Sequence, residues 1–147
     1  RLIHLLVEVV SKGGNLILNV GPDPDGQLPP TALERMREIG EWLKVNGEAI
    51  FATRAVAPYR DGKVAFTRKG KAVCAIYLAD EGEGLPQSIS FAGPAPKPGS
   101  PVRLLGLEPA LKWHSDSGKT VVEIPAAARA KPPCLHAFVV TFEAEGL

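Results

Sequence analysis

The sequence predicts a mixed α+β chain, in which a helix, a strand and a second helix are followed by an antiparallel β-sandwich. The first observation is that two segments with helical apolar spacing flank a short, wholly apolar run. The second is a change of composition near residue 55, since ten of the 14 prolines follow it and turn residues there separate short alternating segments. We therefore divide the chain into a first part, residues 1–54, and a β-rich second part, residues 55–147.

Composition and charge exclude several classes of function. The 147 residues are 45% hydrophobic and 22% charged, as in globular proteins that bury a core. The net charge of +1 provides no broad basic field, so nucleic acid is not an expected partner. The apolar run Leu2–Val10 is far shorter than the roughly 20 residues that span a bilayer, so no membrane segment is expected. Two cysteines and three scattered histidines predict no metal site and no cofactor, and Cys74 is expected to be a buried apolar residue.

The first part contains two predicted helices. In the first helix the apolar stripe is predicted to be Leu2, Leu5, Leu6, Val9 and Val10, and the glycines at 13 and 14 end the helix. The second helix begins near residues 29–31, with Thr31 and Glu34 at the spacing of a capping box, and ends at Asn46 and Gly47. Its buried stripe is predicted to be Leu33, Met36, Ile39, Gly40 and Leu43, with a close backbone approach at the glycine.

Between the helices, Asn15–Val20 predicts a strand that is apolar on both faces, which is typical of a covered parallel sheet. A rigid turn at residues 21–26 follows, because prolines alternate there with aspartates. The chain offers this strand no parallel neighbours before residue 55, so the helix–strand–helix unit is one slice of an α/β fold. We expect either association with another copy through residues 1–50 or packing of both helices onto the sandwich.

The second part predicts a β-hairpin and several further strands. The hairpin joins Lys63–Thr67 to Ala72–Leu78 through a turn at residues 68–70, and residues 72, 74, 76 and 78 of its second strand share one face. Further strands are predicted at Ser88–Phe91, Val102–Leu107, Leu111–His114, Thr120–Ile124 and Ala137–Phe142. The proline-rich stretch at residues 94–101 predicts a stiff surface loop, and the strand spacing favours an antiparallel sandwich.

Two motifs of the first part carry a resemblance to a known family. Residues 11–26, SKGGNLILNVGPDPDG, are followed at 39–50 by IGEWLKVNGEAI, and together they resemble the C-terminal end of the α-L-fucosidases of glycoside hydrolase family 29. The resemblance is specific over Leu2–Arg54 and looser over the rest. It implies that the first part is the last helix, strand and helix of a (β/α) barrel, and that the second part is the C-terminal β-sandwich of the family.

The resemblance also implies a reaction, the retaining hydrolysis of α-linked L-fucose from fucosylated glycans. The family's Asp nucleophile and its acid/base carboxylate lie upstream of the matching part, so no catalytic residue is assigned in this chain, and the three histidines inherit no role. We therefore expect the chain alone to be inactive and the barrel segment to be its partner. For the parent enzyme the family is compatible with an extracytoplasmic location: periplasmic, secreted or lysosomal. The alternative function is a stand-alone carbohydrate-binding or interaction module.

Asn19, Asp23 and Asp25 are candidates for a pocket rim, because they follow or end the barrel-like strand, where barrel enzymes place their chemistry. The aspartates could also act as a carboxylate pair or begin a calcium loop, although the further calcium ligands are not in position. Turn formation is the simpler interpretation of both aspartates, as loop anchoring is for the asparagine.

Trp113 and Tyr59 are candidates for stacking on a sugar ring, with burial in the core as the alternative. The adjacent residues His114, Ser115 and Asp116 are interpreted as a turn, since the members of a catalytic triad converge from separate elements.

Overall fold

Two antiparallel sheets form the body of the computed structural model, which describes residues 1–147. The six-stranded sheet has the order β1-β2-β3-β9-β5-β6, and the three-stranded sheet has the order β4-β8-β7. The strands are β1 Arg60–Asp61, β2 Val64–Lys69, β3 Ala72–Leu78, β4 Ser88–Phe91, β5 Val102–Leu104, β6 Ala110–Leu111, β7 Trp113–Asp116, β8 Lys119–Glu123 and β9 Ala137–Glu143. The helices are α1 Leu2–Ser11, α2 Pro30–Asn46 and α3 Ala126–Ala130, with a 3-10 turn at Gly47–Ala49.

The main hydrophobic core lies between the two sheets. Three aromatic rings fill its centre, with Phe66 edge-on to Phe91 at 5.4 Å and Phe91 stacked on Phe142 at 5.9 Å between ring centres. Strand β9 places Phe138, Val140 and Phe142 in this core, so the face predicted for them is confirmed. The predicted mixed α+β class with an antiparallel sandwich is therefore the observed one.

A second core covers the opposite face of the six-stranded sheet. Ile3 and Val7 of α1 and Trp42 of α2 are buried there against Cys74 and Ile76 of β3. The indole N–H of Trp42 donates to the backbone carbonyl of residue 137 on β9, at 2.9 Å. Both helices thus pack onto the sandwich, which is one of the two arrangements that the sequence predicts.

Helix α1 has its predicted extent, but its buried face is different from the predicted one. Ile3 and Val7 are the buried apolar residues, whereas Leu5 is 44% exposed. The helix is apolar on almost every side, so its sequence periodicity has little contrast and tertiary packing selects the buried stripe.

Helix α2 ends at Asn46 as predicted, but its start and its buried stripe differ from the prediction. The helix begins at Pro30, so Thr31 lies inside it and no side chain caps the first turn. Trp42 and Asn46 are the buried residues, while Met36 is 37% exposed. The predicted close approach at residue 40 is wrong, since no heavy atom lies within 4 Å of the position that a Cβ there would take.

The predicted strand at residues 15–20 is not formed, and these residues have no regular secondary structure. Strand geometry needs a hydrogen-bonded neighbour, and no other part of the chain pairs with this segment. In the turn that follows, the backbone N–H of Gly26 donates to the carbonyl of Asp23, and the backbone N–H of Asp23 donates to the carbonyl of Gln27.

The hairpin of the sandwich is confirmed, with Lys69 paired to Ala72 so that the first strand is longer than predicted. Cys74 and Ile76 face the helices, while Val73 and Ala75 face the main core, as the alternation predicts. Residues 113–116 form strand β7, so the interpretation of residues 114–116 as a turn is wrong. All four residues pair with β8, and the turn comes only at residues 117–118. Strand β1 and helix α3 were not predicted, because each is very short.

None of the three helices has the length and apolarity to cross a bilayer.

Candidate functional site

The most unusual feature of the molecule is the segment of residues 15–20, which we call the open segment. None of its backbone N–H or C=O groups takes part in a hydrogen bond within the chain. Its apolar side chains are poorly covered, with Ile17 92% exposed and Leu18 43% exposed. A hydrophobic segment with a free backbone is the kind of structure to which another strand can be added.

Exposure along the open segment is lower on its even-numbered side. Leu16 and Val20 are partly buried and Leu18 is 43% exposed, whereas Ile17 is 92% exposed and Asn15 and Asn19 are exposed as well. Leu16 lines a cleft of about 480 Å³ between the end of α1 and the residues after the 3-10 turn. Its other apolar lining residues are Leu6, Val10, Ile50, Phe51 and Ala52. The even-numbered side of the segment therefore faces the chain's own helices, and the odd-numbered side faces away from them.

The aspartates after the open segment have different environments. Asp23 accepts hydrogen bonds through Oδ1 from the backbone N–H of Asp25, at 3.0 Å, and from that of Gln27, at 2.8 Å. Its carboxylate thus holds the turn together, as in the simpler interpretation. Asp25 is exposed. No group of three or more acidic, histidine or cysteine side chains is placed to hold a metal ion.

The two candidate stacking residues lie apart from the open segment in sequence and differ in exposure. Tyr59 is 47% exposed, and the Nζ atom of Lys12 lies 5.3 Å from its ring centre. That ammonium also binds the carboxylate of Glu8 at 2.8 Å, and the pair raises the pKa of the lysine and lowers that of the glutamate. Trp113 is partly buried and packs against the main core. Sugar stacking by either residue stays a prediction.

A polar network that the sequence does not predict lies at the end of the hairpin. Lys63 Nζ contacts Asp80 Oδ2 at 2.5 Å and Glu83 Oε2 at 2.9 Å, and the hydroxyl of Tyr77 donates to Glu83 Oε1 at 2.6 Å. The tyrosine hydroxyl, a backbone N–H and the ammonium lower the pKa of Glu83 to about 2. No local motif signals this network, because its members are brought together only by strand pairing.

Neither cysteine is placed as a reactive nucleophile. Cys74 and Cys134 are both free, and Cys74 is buried as predicted. Burial raises the pKa of the Cys74 thiol to about 11, so it stays protonated near neutral pH. The thiol of Cys134 donates to the carbonyl of Ala137 at 3.2 Å, and burial raises its pKa as well.

Comparison with known proteins relates the chain to part of a family of longer proteins. A family model described as Alpha-L-fucosidase matches residues 1–48. The Alpha-L-fucosidase of Branchiostoma floridae is 39% identical over 143 residues, which are 95% of this chain and 31% of that protein. The chain is homologous to a segment of the family 29 α-L-fucosidases. The human Tissue alpha-L-fucosidase, 34% identical over 147 residues, is likewise matched over 95% of this chain and 30% of its own length.

Solved structures support this homology. The crystal structure of Thermotoga maritima alpha-fucosidase superposes with a TM-score of 0.80 at 30% identity, covering 98% of this chain and 33% of that one. The same enzyme has been crystallised in complex with fucose. A Bacteroides thetaiotaomicron alpha-L-fucosidase of family GH29 shares the fold with a TM-score of 0.73 at 20% identity. The chain thus spans about a third of the length of the relatives that it matches.

Proposed function

We propose that this segment completes the catalytic barrel of a longer α-L-fucosidase and supplies neither its nucleophile nor its acid/base. In this proposal residues 1–54 are the last helix, strand and helix of the barrel, and residues 55–147 are a C-terminal β-sandwich that supports it. The supporting observation is the open segment, whose backbone makes no hydrogen bond and whose Ile17 is 92% exposed.

The open segment fits between two parallel strands. A central strand in a parallel sheet uses the hydrogen-bonding groups on both of its edges and buries both of its faces. The segment offers both edges, and burial of one such apolar side chain contributes roughly 1.5 to 3 kcal/mol. That gain is large beside the roughly 5 to 15 kcal/mol that stabilises a whole domain. Docking into a barrel thus covers surface that the sandwich leaves exposed.

The two carboxylates of the chain that are most firmly held are poorly suited to retaining hydrolysis of a glycosidic bond. That reaction needs a nucleophile and a general acid about 5 to 5.5 Å apart, and the acid needs a raised pKa. Asp23 is engaged in its turn, and Glu83 is held ionised by Lys63 and Tyr77. In this proposal the removal of α-linked L-fucose from fucosylated glycans depends on carboxylates in the rest of the enzyme. No cofactor is proposed, because the two carboxylates perform the whole reaction.

An assay with an aryl α-L-fucoside tests the proposal. The chain is assayed alone and together with the two thirds of the Thermotoga maritima enzyme that it does not match. We expect no turnover by the chain alone and turnover by the combination. Amide hydrogen exchange provides the second measurement, with protection of residues 15–20 expected only in the combination.

Turnover by the isolated chain would contradict the proposal, and so would a combination with neither turnover nor protected amides. The stand-alone alternative has its own signature. A carbohydrate-binding module would bind fucose in a calorimetric titration of the isolated chain, and its affinity would fall in Trp113→Ala or Tyr59→Ala variants.

A further inference from the structure

We propose that Asn19 is a positioning residue of the assembled active site, with its side-chain amide directed into the mouth of the barrel. The inference rests on the proposed function and adds a named residue to it. Two observations carry it, namely the face of the open segment on which Asn19 lies and its place along that segment.

The face follows from the burial pattern. In a barrel of parallel strands, alternate residues point toward the outer helices and toward the barrel interior. Leu16 lies in a cleft with residues of α1, Val20 is partly buried and Leu18 is 43% exposed against 92% for Ile17, so the even-numbered residues form the better covered, helix-facing side. Ile17 and Asn19 are exposed on the other side, which becomes the interior of the assembled barrel.

The place along the segment selects the asparagine. Barrel enzymes carry their chemistry at the carboxyl ends of the strands. Asn19 lies at that end, two residues before the turn that begins at residue 21, whereas Asn15 lies on the same face at the opposite end. Two residues of the same type thus occupy one face, and only one of them is near the reacting centre.

An amide at this position can orient oxygen atoms but cannot exchange a proton as an acid or base near neutral pH. Its NH₂ group donates and its carbonyl accepts, so it suits either a sugar hydroxyl or a catalytic carboxylate. A hydrogen bond to an ionised carboxylate lowers the pKa of that carboxylate. Loss of the amide then affects either substrate binding or the ionisation of the reacting groups.

Substitution in the assembled enzyme tests the inference. We expect Asn19→Ala to lower kcat/KM by about ten- to a hundredfold, the size expected for the loss of one hydrogen bond to a charged or reacting group. The matched control, Asn15→Ala, is expected to retain kcat/KM within about threefold. A rise in KM alone indicates a contact with a sugar hydroxyl, and a fall in kcat with a shifted pH profile indicates a contact with a carboxylate.

The isosteric variant Asn19→Asp adds a readout that a purely structural role would not change. It places a second negative charge near the catalytic carboxylates, so the acidic limb of the pH–rate profile is expected to move to higher pH. An active assembly in which Asn19→Ala and Asn15→Ala behave alike would overturn this inference alone. An assembly without turnover and without amide protection would overturn the proposed function, and this inference with it.

Discussion

Trp42 joins helix α2 to the sandwich through both its ring and its indole N–H. The ring is 3% exposed, and the N–H donates to the carbonyl of Ala137. Replacement by phenylalanine keeps most of the apolar volume but removes the donor. We expect Trp42→Phe to lower the free energy of unfolding by about 1 to 3 kcal/mol, because the core loses ring volume and the carbonyl of Ala137 keeps only the weak thiol donor of Cys134. Urea denaturation measures the change.

Trp113→Phe is the matched control for that substitution. Trp113 is partly buried, and its indole N–H donates no hydrogen bond within the chain. The control is expected to lose less stability than Trp42→Phe. Equal losses in the two variants would show that ring volume, and not the hydrogen bond to β9, determines the contribution of Trp42.

Glu83 gives the fold a dependence on acid. Its folded-state pKa is about 2, below the ordinary value of 4.5, with Tyr77 as the largest cause. A lowered pKa means stability that is fully present above about pH 4.5 and is lost as the pH falls toward 2. We expect Tyr77→Phe to lower the free energy of unfolding by about 1 kcal/mol at pH 7 and by less at pH 2.5.

Urea denaturation at pH 7, 4.5 and 2.5 checks this pH dependence. Tyr59→Phe serves as the control, since that ring is 47% exposed and its hydroxyl makes no hydrogen bond in the structure. A Tyr77→Phe loss of stability that is the same at all three pH values would contradict the role given to Glu83.

At the scale of elements, the link after the 3-10 turn contains a residue with an unfavourable backbone. Ala52 has φ +58°, a left-handed conformation that costs an L-residue roughly 1 to 2 kcal/mol. Glycine adopts this conformation without strain, but its conformational-entropy cost on folding is larger than that of alanine by about 0.4 to 1 kcal/mol. We expect Ala52→Gly to raise the free energy of unfolding by up to about 1 kcal/mol in urea denaturation.

Ala126→Gly in helix α3 is the control and is expected to have the opposite effect. Alanine is not strained in a helix, so glycine there is expected to lower the free energy of unfolding by roughly 0.5 to 1 kcal/mol. If both glycine variants lost stability equally, backbone strain at residue 52 would be ruled out as a feature of the folded chain.

Sequence patterns predicted the sandwich elements well and the helix faces poorly. The hairpin strand at 72–78 alternates between two cores, and a period of two is readable because each face has its own apolar cluster. Helix α1 offers apolar residues on several sides, so only the packing of Ile3 and Val7 against the sheet defines its buried face. The capping box failed for a local reason, since a helix that starts at Pro30 leaves Thr31 inside its first turn.

The candidate site was predictable only in part. The motif around Asn15–Val20 predicted a strand from its apolar residues, but a strand also requires partners that this chain does not provide. The role of Asp23 in its turn followed from its sequence context, and the structure shows the two hydrogen bonds. The network of Lys63, Glu83 and Tyr77 depends on strand pairing between distant residues, which no local pattern encodes.

At the scale of the whole molecule, the six-stranded sheet is the shared layer of two cores. One of its faces packs against the three-stranded sheet, and the other against helices α1 and α2. The helices are therefore held by the sandwich itself, whereas the open segment between them is not. The two cores should then determine the stability of the isolated chain, and substitutions on the odd-numbered face of the open segment should change it little.

This separation predicts opposite results for two substitutions. Ile17 is 92% exposed, so Ile17→Lys is expected to change the free energy of unfolding of the isolated chain by no more than about 0.5 kcal/mol. Val7 is fully buried on the sheet-facing side of α1, so Val7→Ala is expected to lower the free energy of unfolding by roughly 1 to 3 kcal/mol. Urea denaturation of both variants measures the contrast.

The same lysine has a different effect once the chain is assembled. In the proposed assembly a charge on the odd-numbered face of the open segment must be buried without a partner, which is strongly unfavourable. Ile17→Lys is therefore expected to abolish amide protection of residues 15–20 in the combination with the rest of the enzyme, although the variant chain itself stays folded. If Ile17→Lys instead unfolded the isolated chain, residue 17 would belong to its own core, and the open segment would not be a surface for docking.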